Sequence, residues 1–239
     1  MFENTGEKIR KTAALIEAIH ENDFQFVKNF FGDSENLQYA NVQFNGIPII
    51  IFAAQEKKWE IFKVLFNSDA NLDIPIEYAQ RYVIYECIDS APEKITSIIM
   101  EYCDLNVQNR QGNTPLMYAY QKNKKYVVDH LIDKVDLSKQ NNNRDTFAHL
   151  VAKNKDYDLF LRLTHLNAPI QILNNDGLSA IDCVEDTFFK EQLPKMLSLL
   201  AKDAGNKTSE ILVSGNSGVS THGKPKLSGI STIKKIKPE

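Results

Sequence analysis

The stretch NRQGNTPLMYAY, residues 109–120, decides how the whole chain is read. Its proline suits the first turn of a helix, where a missing N–H has no partner to lose, and the threonine before it is a natural N-cap. A helix therefore starts at Pro115. Its apolar and small positions Leu116 and Ala119 stand three apart on one face, with Gln121 and Lys122 outside it. Downstream, a second helix from about Lys125 to Lys134 presents Val127, Val128, Leu131 and Ile132 as one stripe. Just before the first helix, Gly112 suits a turn that needs a positive φ.

The unit recurs along the chain. Extended, the stretch is GNTPLMYAYQKNKKYVVDHLIDKVDLS (112–138), and GIPIIIFAAQEKKWEIFKVLFNSDANLD (46–73) lines up with it until the last few positions. RDTFAHLVAKNKDYDLFLRLTHLNAP begins at Arg144, and GLSAIDCV begins at Gly177. The small residue of each first helix gives a ruler, at Ala18, Ala53, Cys87, Ala119, Val151 and Val184, with spacings of 35, 34, 32, 32 and 33. A period in that range is the signature of stacked repeats. Two short amphipathic helices cannot cover their apolar faces alone, whereas stacked neighbours can. Gln80 and Arg144 stand where Gly112 stands in its own unit, which predicts mild strain or altered turns at both.

The period, the G-x-T-P-L opening and the second helix VVDHLI together resemble the ankyrin repeat, whose signature contains T-P-L-H-x-A. The resemblance is close over 112–136, good over 46–73 and looser elsewhere, and it extends over about residues 10–200. It implies an all-α solenoid of about six helix-turn-helix repeats joined by short hairpin or turn loops. The expected units are approximately 12–41, 42–75, 76–107, 108–139, 140–172 and 173–203, with residues 1–11 as a flank. The first unit, from Lys8 to Phe31, reads as a pair of helices, and Pro194 predicts a kink in the last helical pattern. Beyond Asp203 the chain is rich in Ser, Gly, Thr and Lys without an aromatic residue, and it reads as a flexible basic tail over 204–239.

Composition narrows the function classes. At 43% apolar and 25% charged, 239 residues have the balance of a soluble globular protein. The longest apolar run, residues 47–54, includes Pro48 and falls well short of the roughly 18 residues a membrane-spanning helix needs. The start, MFENTGEKIRK, lacks the apolar core of a signal peptide, so a cytoplasmic location is expected. Net charge is −3, but residues 202–239 carry seven lysines against three acidic residues, about +4, which leaves about −7 elsewhere. An acidic body argues against nucleic acid as a partner. Neither nucleic acid nor membrane is expected to bind it, and STIKKIKPE is the one basic arm.

Few residues offer chemistry. Cysteines 87, 103 and 183 are too scattered for a disulfide framework or a metal knuckle. A catalytic thiolate would need a neighbouring base. Cys87 occupies a ruler position and Cys183 precedes one, so both read as packing residues, while Cys103, in the turn after a second helix, reads as the most exposed. His149 stands at the histidine of the ankyrin signature, whose usual role is hydrogen bonding between loops. His130 lies in the apolar stripe and reads as packed, and His20, His165 and His222 have no partner at metal spacing. Neither GxxxxGK[ST] nor GxGxxG occurs, and the acidic groups Asp69 with Asp73, and Asp182 with Glu185 and Asp186, read as repeat turns and an exposed helix face. No catalytic residue, cofactor, metal or nucleotide site is expected. The rival readings are a small hydrolase or transferase using Cys103, and an adaptor that meets membrane or nucleic acid through its tail.

In ankyrin proteins, the hairpin tips and first helices line a concave face that commonly receives partner proteins. Carried over by position, the tips are Phe44, Asn45 and Ile47; Tyr78, Ala79 and Arg81; Arg110, Gln111 and Asn113; and Asn142, Asn143 and Asp145. The exposed sides of the first helices supply Gln55 and Glu56, Asp89 and Ser90, Gln121 and Lys122, and Lys153 and Asn154. Aromatic residues and arginine are favoured at interface hot spots. Phe44, Tyr78, Arg81, Arg110 and Gln111 are therefore the expected energetic centre of a face that binds another protein, with the chain acting as a monomer. Ankyrin-repeat proteins are common among secreted effectors of intracellular bacteria, and the Asn, Lys and Ile richness suits such a source. By that analogy the compartment would be a host cytosol.

Overall fold

A computed structural model describes residues 5–193 and 195, all but the last of them in one compact unit. The chain opens with α1 (Thr5–Glu21) and α2 (Phe24–Phe30), followed by a 3-10 segment over Ser34–Asn41. A minimal antiparallel hairpin comes next, β1 (Gln43–Phe44) with β2 (Ile47–Pro48), in which Phe44 faces Ile47. Helix pairs then follow: α3 (Ile49–Gln55) with α4 (Trp59–Asn67), and α5 (Val83–Ser90) with α6 (Glu93–Ile99). Two more are α7 (Pro115–Gln121) with α8 (Lys125–Leu131), and α9 (Phe147–Lys153) with α10 (Tyr157–His165). A further helix runs over 187–193.

The expected local signals set these elements. The Thr114 hydroxyl accepts the Met117 N–H at 3.4 Å, and Pro115 occupies the first turn of α7. Four of the pairs turn between their helices through a residue at positive φ: Asn22, Lys57, Asn123 or Lys155. The α5–α6 turn differs because Pro92 forbids its neighbour the helical region, and Ala91 is extended at ψ 150.

First helices stack in one row, α1 on α3, α3 on α5, α5 on α7 and α7 on α9. The five ruler residues from Ala18 to Val151 are buried along it, which is why they must be small, and Val184 is buried as well, outside any first helix. At the turn before each first helix, Gly46, Gly112 and Gly177 have φ of 76, 73 and 71, and Gln80 and Arg144 take the same left-handed region at 45 and 56. The strain expected at those two positions is present.

One expected helix is replaced. Residues 181–183 form a turn where the last unit should have its first helix. The Ser179 hydroxyl and N–H both donate to Asp182, at 2.6 and 3.0 Å, and the Asp182 N–H returns to the Ser179 hydroxyl at 3.3 Å. These bonds close a single turn that the chain leaves before 187. Asp182 thus belongs to a turn, and Asp186 caps the following helix by accepting the Phe189 N–H at 2.9 Å, rather than both lying on an exposed helix face. The kink expected at Pro194 and the tail over 204–239 lie outside the described residues.

Candidate functional site

Asparagine side chains close the last three hairpin tips. The Asn109 side-chain oxygen accepts the N–H groups of Gln111 and Asn113, both at 3.0 Å. Asn141 does the same for Asn143 and Asp145, also at 3.0 Å, and Asn174 for Asp176 and Leu178 at 2.9 and 3.1 Å. An asparagine side chain that bonds the backbone two residues on takes over the work of a backbone turn. Neighbouring tips are then tied together, with the Asn142 N–H donating to the Gln111 carbonyl at 3.1 Å and the Asn175 N–H to the Asn143 carbonyl at 3.0 Å. The sequence reading did not single out Asn109, Asn141 and Asn174, although their spacing of 32 and 33 was a usable signal.

Between the tips at 110–113 and 141–143 lies an open groove of about 530 Å³. It brings together six of the candidate residues: Arg110, Gln111, Asn113, Gln121, Asn142 and Asn143. Asn113 is buried and forms the wall: its amide donates to the Gln121 side-chain oxygen at 3.1 Å, and its own oxygen accepts from the Asn141 amide at 3.3 Å. Asp145 is buried as well, holding the Lys153 ammonium at 2.7 and 2.8 Å and the Asn174 amide at 2.9 Å. The alternation within each turn points 113 and 145 inward, so these two expected contact residues are scaffold.

A second cluster sits on the first helices. The Arg81 guanidinium donates to both carboxylate oxygens of Glu86, at 2.6 and 3.2 Å, and to Asp89 at 2.5 Å. The Gln55 amide donates to Glu86 at 3.0 Å, and the Tyr118 hydroxyl donates to Asp89 at 2.7 Å. Lys122 lies 3.8 Å from Asp89 and 5.3 Å from the centre of the Tyr118 ring. Half-burial works against the Arg81 charge, but the hydrogen bonds to Glu86, Tyr118 and Asp89 outweigh it and hold the guanidinium above its ordinary pKa. Arg81 is therefore an internal clamp rather than a free contact. Glu86 and Tyr118 were missed in the sequence because each stands inside an apolar run.

A family model described as ankyrin repeats (3 copies) matches residues 83–176. Over those residues the chain carries ankyrin repeats. Its fold is similar to that of a solved structure of EF0377, an ankyrin repeat protein, at 22% identity and a TM-score of 0.57, covering 78% of this chain and 97% of that one. It is also similar to the ankyrin repeat domain of Bcl-3, described as a unique member of the IkappaB protein family, at 13% identity and a TM-score of 0.54, covering 62% of this chain and 67% of that one. The comparison with curated proteins returned no match. Ankyrin repeats are generally protein–protein interaction modules, and the family is typically a non-enzymatic scaffold.

The remaining candidates are spread along the ankyrin face. Phe44 packs edge-on against Phe52, with ring centroids 5.8 Å apart, while Tyr78 projects with 70% of its surface exposed. Asn45, Glu56 and Asn154 are exposed, and Lys153, though exposed, is committed to Asp145. His149 is buried and bridges repeats as the resemblance implies, accepting the Thr146 N–H at 3.1 Å through Nδ1 and meeting the Leu178 carbonyl at 3.1 Å through Nε2. His130 is not packed: α8 turns it outward to Glu101 at 2.8 Å, beside Lys134. Cys103 is half-buried rather than exposed, and burial pushes its thiol up to about 12, far from the range of a reactive thiolate. Burial raises the Cys87 and Cys183 thiols too.

Proposed function

We propose that this ankyrin-repeat domain binds another protein on the face formed by its hairpin tips and first helices, without chemical turnover. One observation supports the reading above the rest: Arg110, Gln111 and Asn143 are exposed on tips that the scaffold fixes, and among the described residues their side chains make no intramolecular hydrogen bond. A fixed backbone leaves little ordering entropy to lose on association. The face divides into an aromatic end around Tyr78 and an amide-rich end around Arg110. As part of the same proposal, the protein acts as a monomer in the cytosol, which would be a host's if it is secreted as an effector.

The test is affinity capture from lysate with wild type and Arg110→Ala/Tyr78→Ala. Both positions are exposed, so stability should shift by no more than about 0.5 kcal/mol per site. Loss of the captured protein with an unchanged melting curve supports the proposal. Retention of that protein by the folded variant refutes it.

A further inference from the structure

We infer that the groove between the tips at 110–113 and 141–143 binds an extended peptide segment through its main chain, with an acidic side chain of that segment on Arg110. This deepens the binding-face reading and rests on it.

The lining carries the argument. Of its seven residues, six are carboxamides and the other is Arg110. A carboxamide is the same chemical group as a peptide unit, with donors on nitrogen and an acceptor on oxygen. An extended chain offers one N–H and one C=O per residue and needs partners of that kind. The internal bonds determine which groups remain for a ligand. Gln121, which lines the groove, accepts from Asn113 through its oxygen and leaves its NH2 as a donor. Asn142 spends its NH2 on the Arg110 carbonyl at 2.9 Å, leaving its oxygen as an acceptor. Gln111 and Asn143 keep both ends of their side chains unused among the described residues. Fixed donors and acceptors thus stand beside adaptable ones in a carboxamide lining.

The charge then chooses the side chain. Arg110 is exposed, no carboxylate lines the groove, and no acidic partner of Arg110 occurs among the described residues. An unpaired guanidinium is a bidentate receptor for a carboxylate. The volume of about 530 Å³ lies in the usual range for a ligand cleft, roughly 300–1,000 Å³, and suits a short segment rather than a folded surface. A nucleic-acid strand is the poorer occupant, because no aromatic ring lines the groove for a base to stack on.

The experiment selects random decapeptides displayed on phage against the full chain, resynthesises an enriched sequence with fluorescein, and measures affinity by anisotropy. Enriched sequences should share one Asp or Glu in an otherwise uncharged stretch. Arg110→Ala should weaken binding about tenfold or more, and N-methylation of two central backbone amides of the peptide by a similar factor. Gln121→Ala should weaken it several-fold, Lys94→Ala on α6 should leave it unchanged, and all variants should melt as wild type does. The inference is overturned if no decapeptide enriches, if binding ignores Arg110 or backbone N-methylation, or if a fluorescein-labelled oligothymidylate binds more tightly than the peptides in an Arg110-dependent way. Should Arg110→Ala/Tyr78→Ala lose a captured protein while no decapeptide depends on Arg110, the binding face stands and only the peptide reading falls.

Discussion

Replacing Arg81 with methionine tests whether its charge serves the scaffold or a partner. Methionine keeps the apolar stem but removes three hydrogen bonds, at 2.6 and 3.2 Å to Glu86 and at 2.5 Å to Asp89. Glu86 is only 7% exposed, and it would keep a single donor, the Gln55 amide at 3.0 Å. Breaking a fully buried ion pair by removing one partner costs about 3–5 kcal/mol. The Arg81 side chain is 28% exposed, so water screens part of that, and the surviving Gln55 bond offsets more. The expected loss is about 2 kcal/mol. Adding Glu86→Gln removes the orphaned charge at nearly constant volume and should restore at least half of the loss. Urea unfolding followed by circular dichroism measures both through the transition midpoint. An Arg81→Met midpoint within about 0.5 kcal/mol of wild type, or a double variant less stable than the single one, refutes the clamp and returns Arg81 to the list of free contacts.

Other perturbations follow from the same geometry. Gly112→Ala and Gly177→Ala share a φ strain of about 1 kcal/mol, but a Cβ on Gly112 would lie 2.6 Å from the Asn142 side-chain oxygen and 2.7 Å from the Asn142 backbone nitrogen, whereas Gly177 has nothing within 4 Å. Thermal melts should therefore show Gly112→Ala costing about 1–3 kcal/mol more than Gly177→Ala, and equal losses would contradict the close packing of the two tips. Iodoacetamide at pH 7.4, read by peptide mass spectrometry, should label Cys183 fastest, Cys103 slowly and Cys87 only on unfolding; fast labelling of Cys103 would revive the thiol-enzyme reading. The Asp136 carboxyl is held below its ordinary pKa by the Ser138 hydroxyl, at 2.5 Å, and by the Ser138 N–H. Its contribution to stability is present above the ordinary carboxylate range and is lost as pH falls through the lowered value. An NMR titration of Ser138→Ala should move that pKa back up; an unmoved value would assign the shift elsewhere.

Helix pairs were legible because their signals are local. Thr114 and Pro115 mark a start, and the ruler residues mark a packed face without reference to anything distant in the chain. The site was legible only as a row of positions. Whether a tip residue points out or in depends on its place in a turn whose closure comes from another side chain, as with Asn109 over Asn113 and Asn141 over Asp145. Which charges are free depends on residues a repeat away: Tyr118 reaches Asp89, and Gln55 reaches Glu86. GLSAIDCV matched the repeat pattern yet forms no first helix, because Ser179 and Asp182 satisfy each other within one turn.

The two ends of the proposed binding face are held differently, and that difference bears on what each can do. At the tip containing Phe44, Gln43 stands where Asn109 stands three residues before its glycine, and a two-stranded backbone ladder closes the hairpin. At the tip containing Tyr78, Glu77 stands there, and a bridge between Ile76 and Arg81 closes the turn with the Arg81 clamp beside it. From Asn109 onward, each of the three tips is closed by its own asparagine, and neighbouring tips are bonded to each other. A backbone fixed in that way cannot adapt to a ligand, so adaptation falls on the side chains of Gln111 and Asn143. Immobilising each costs about 0.5–1.5 kcal/mol, which their new hydrogen bonds must exceed. Under the proposed peptide reading, a carboxylate paired with Arg110 then supplies about a further tenfold in affinity.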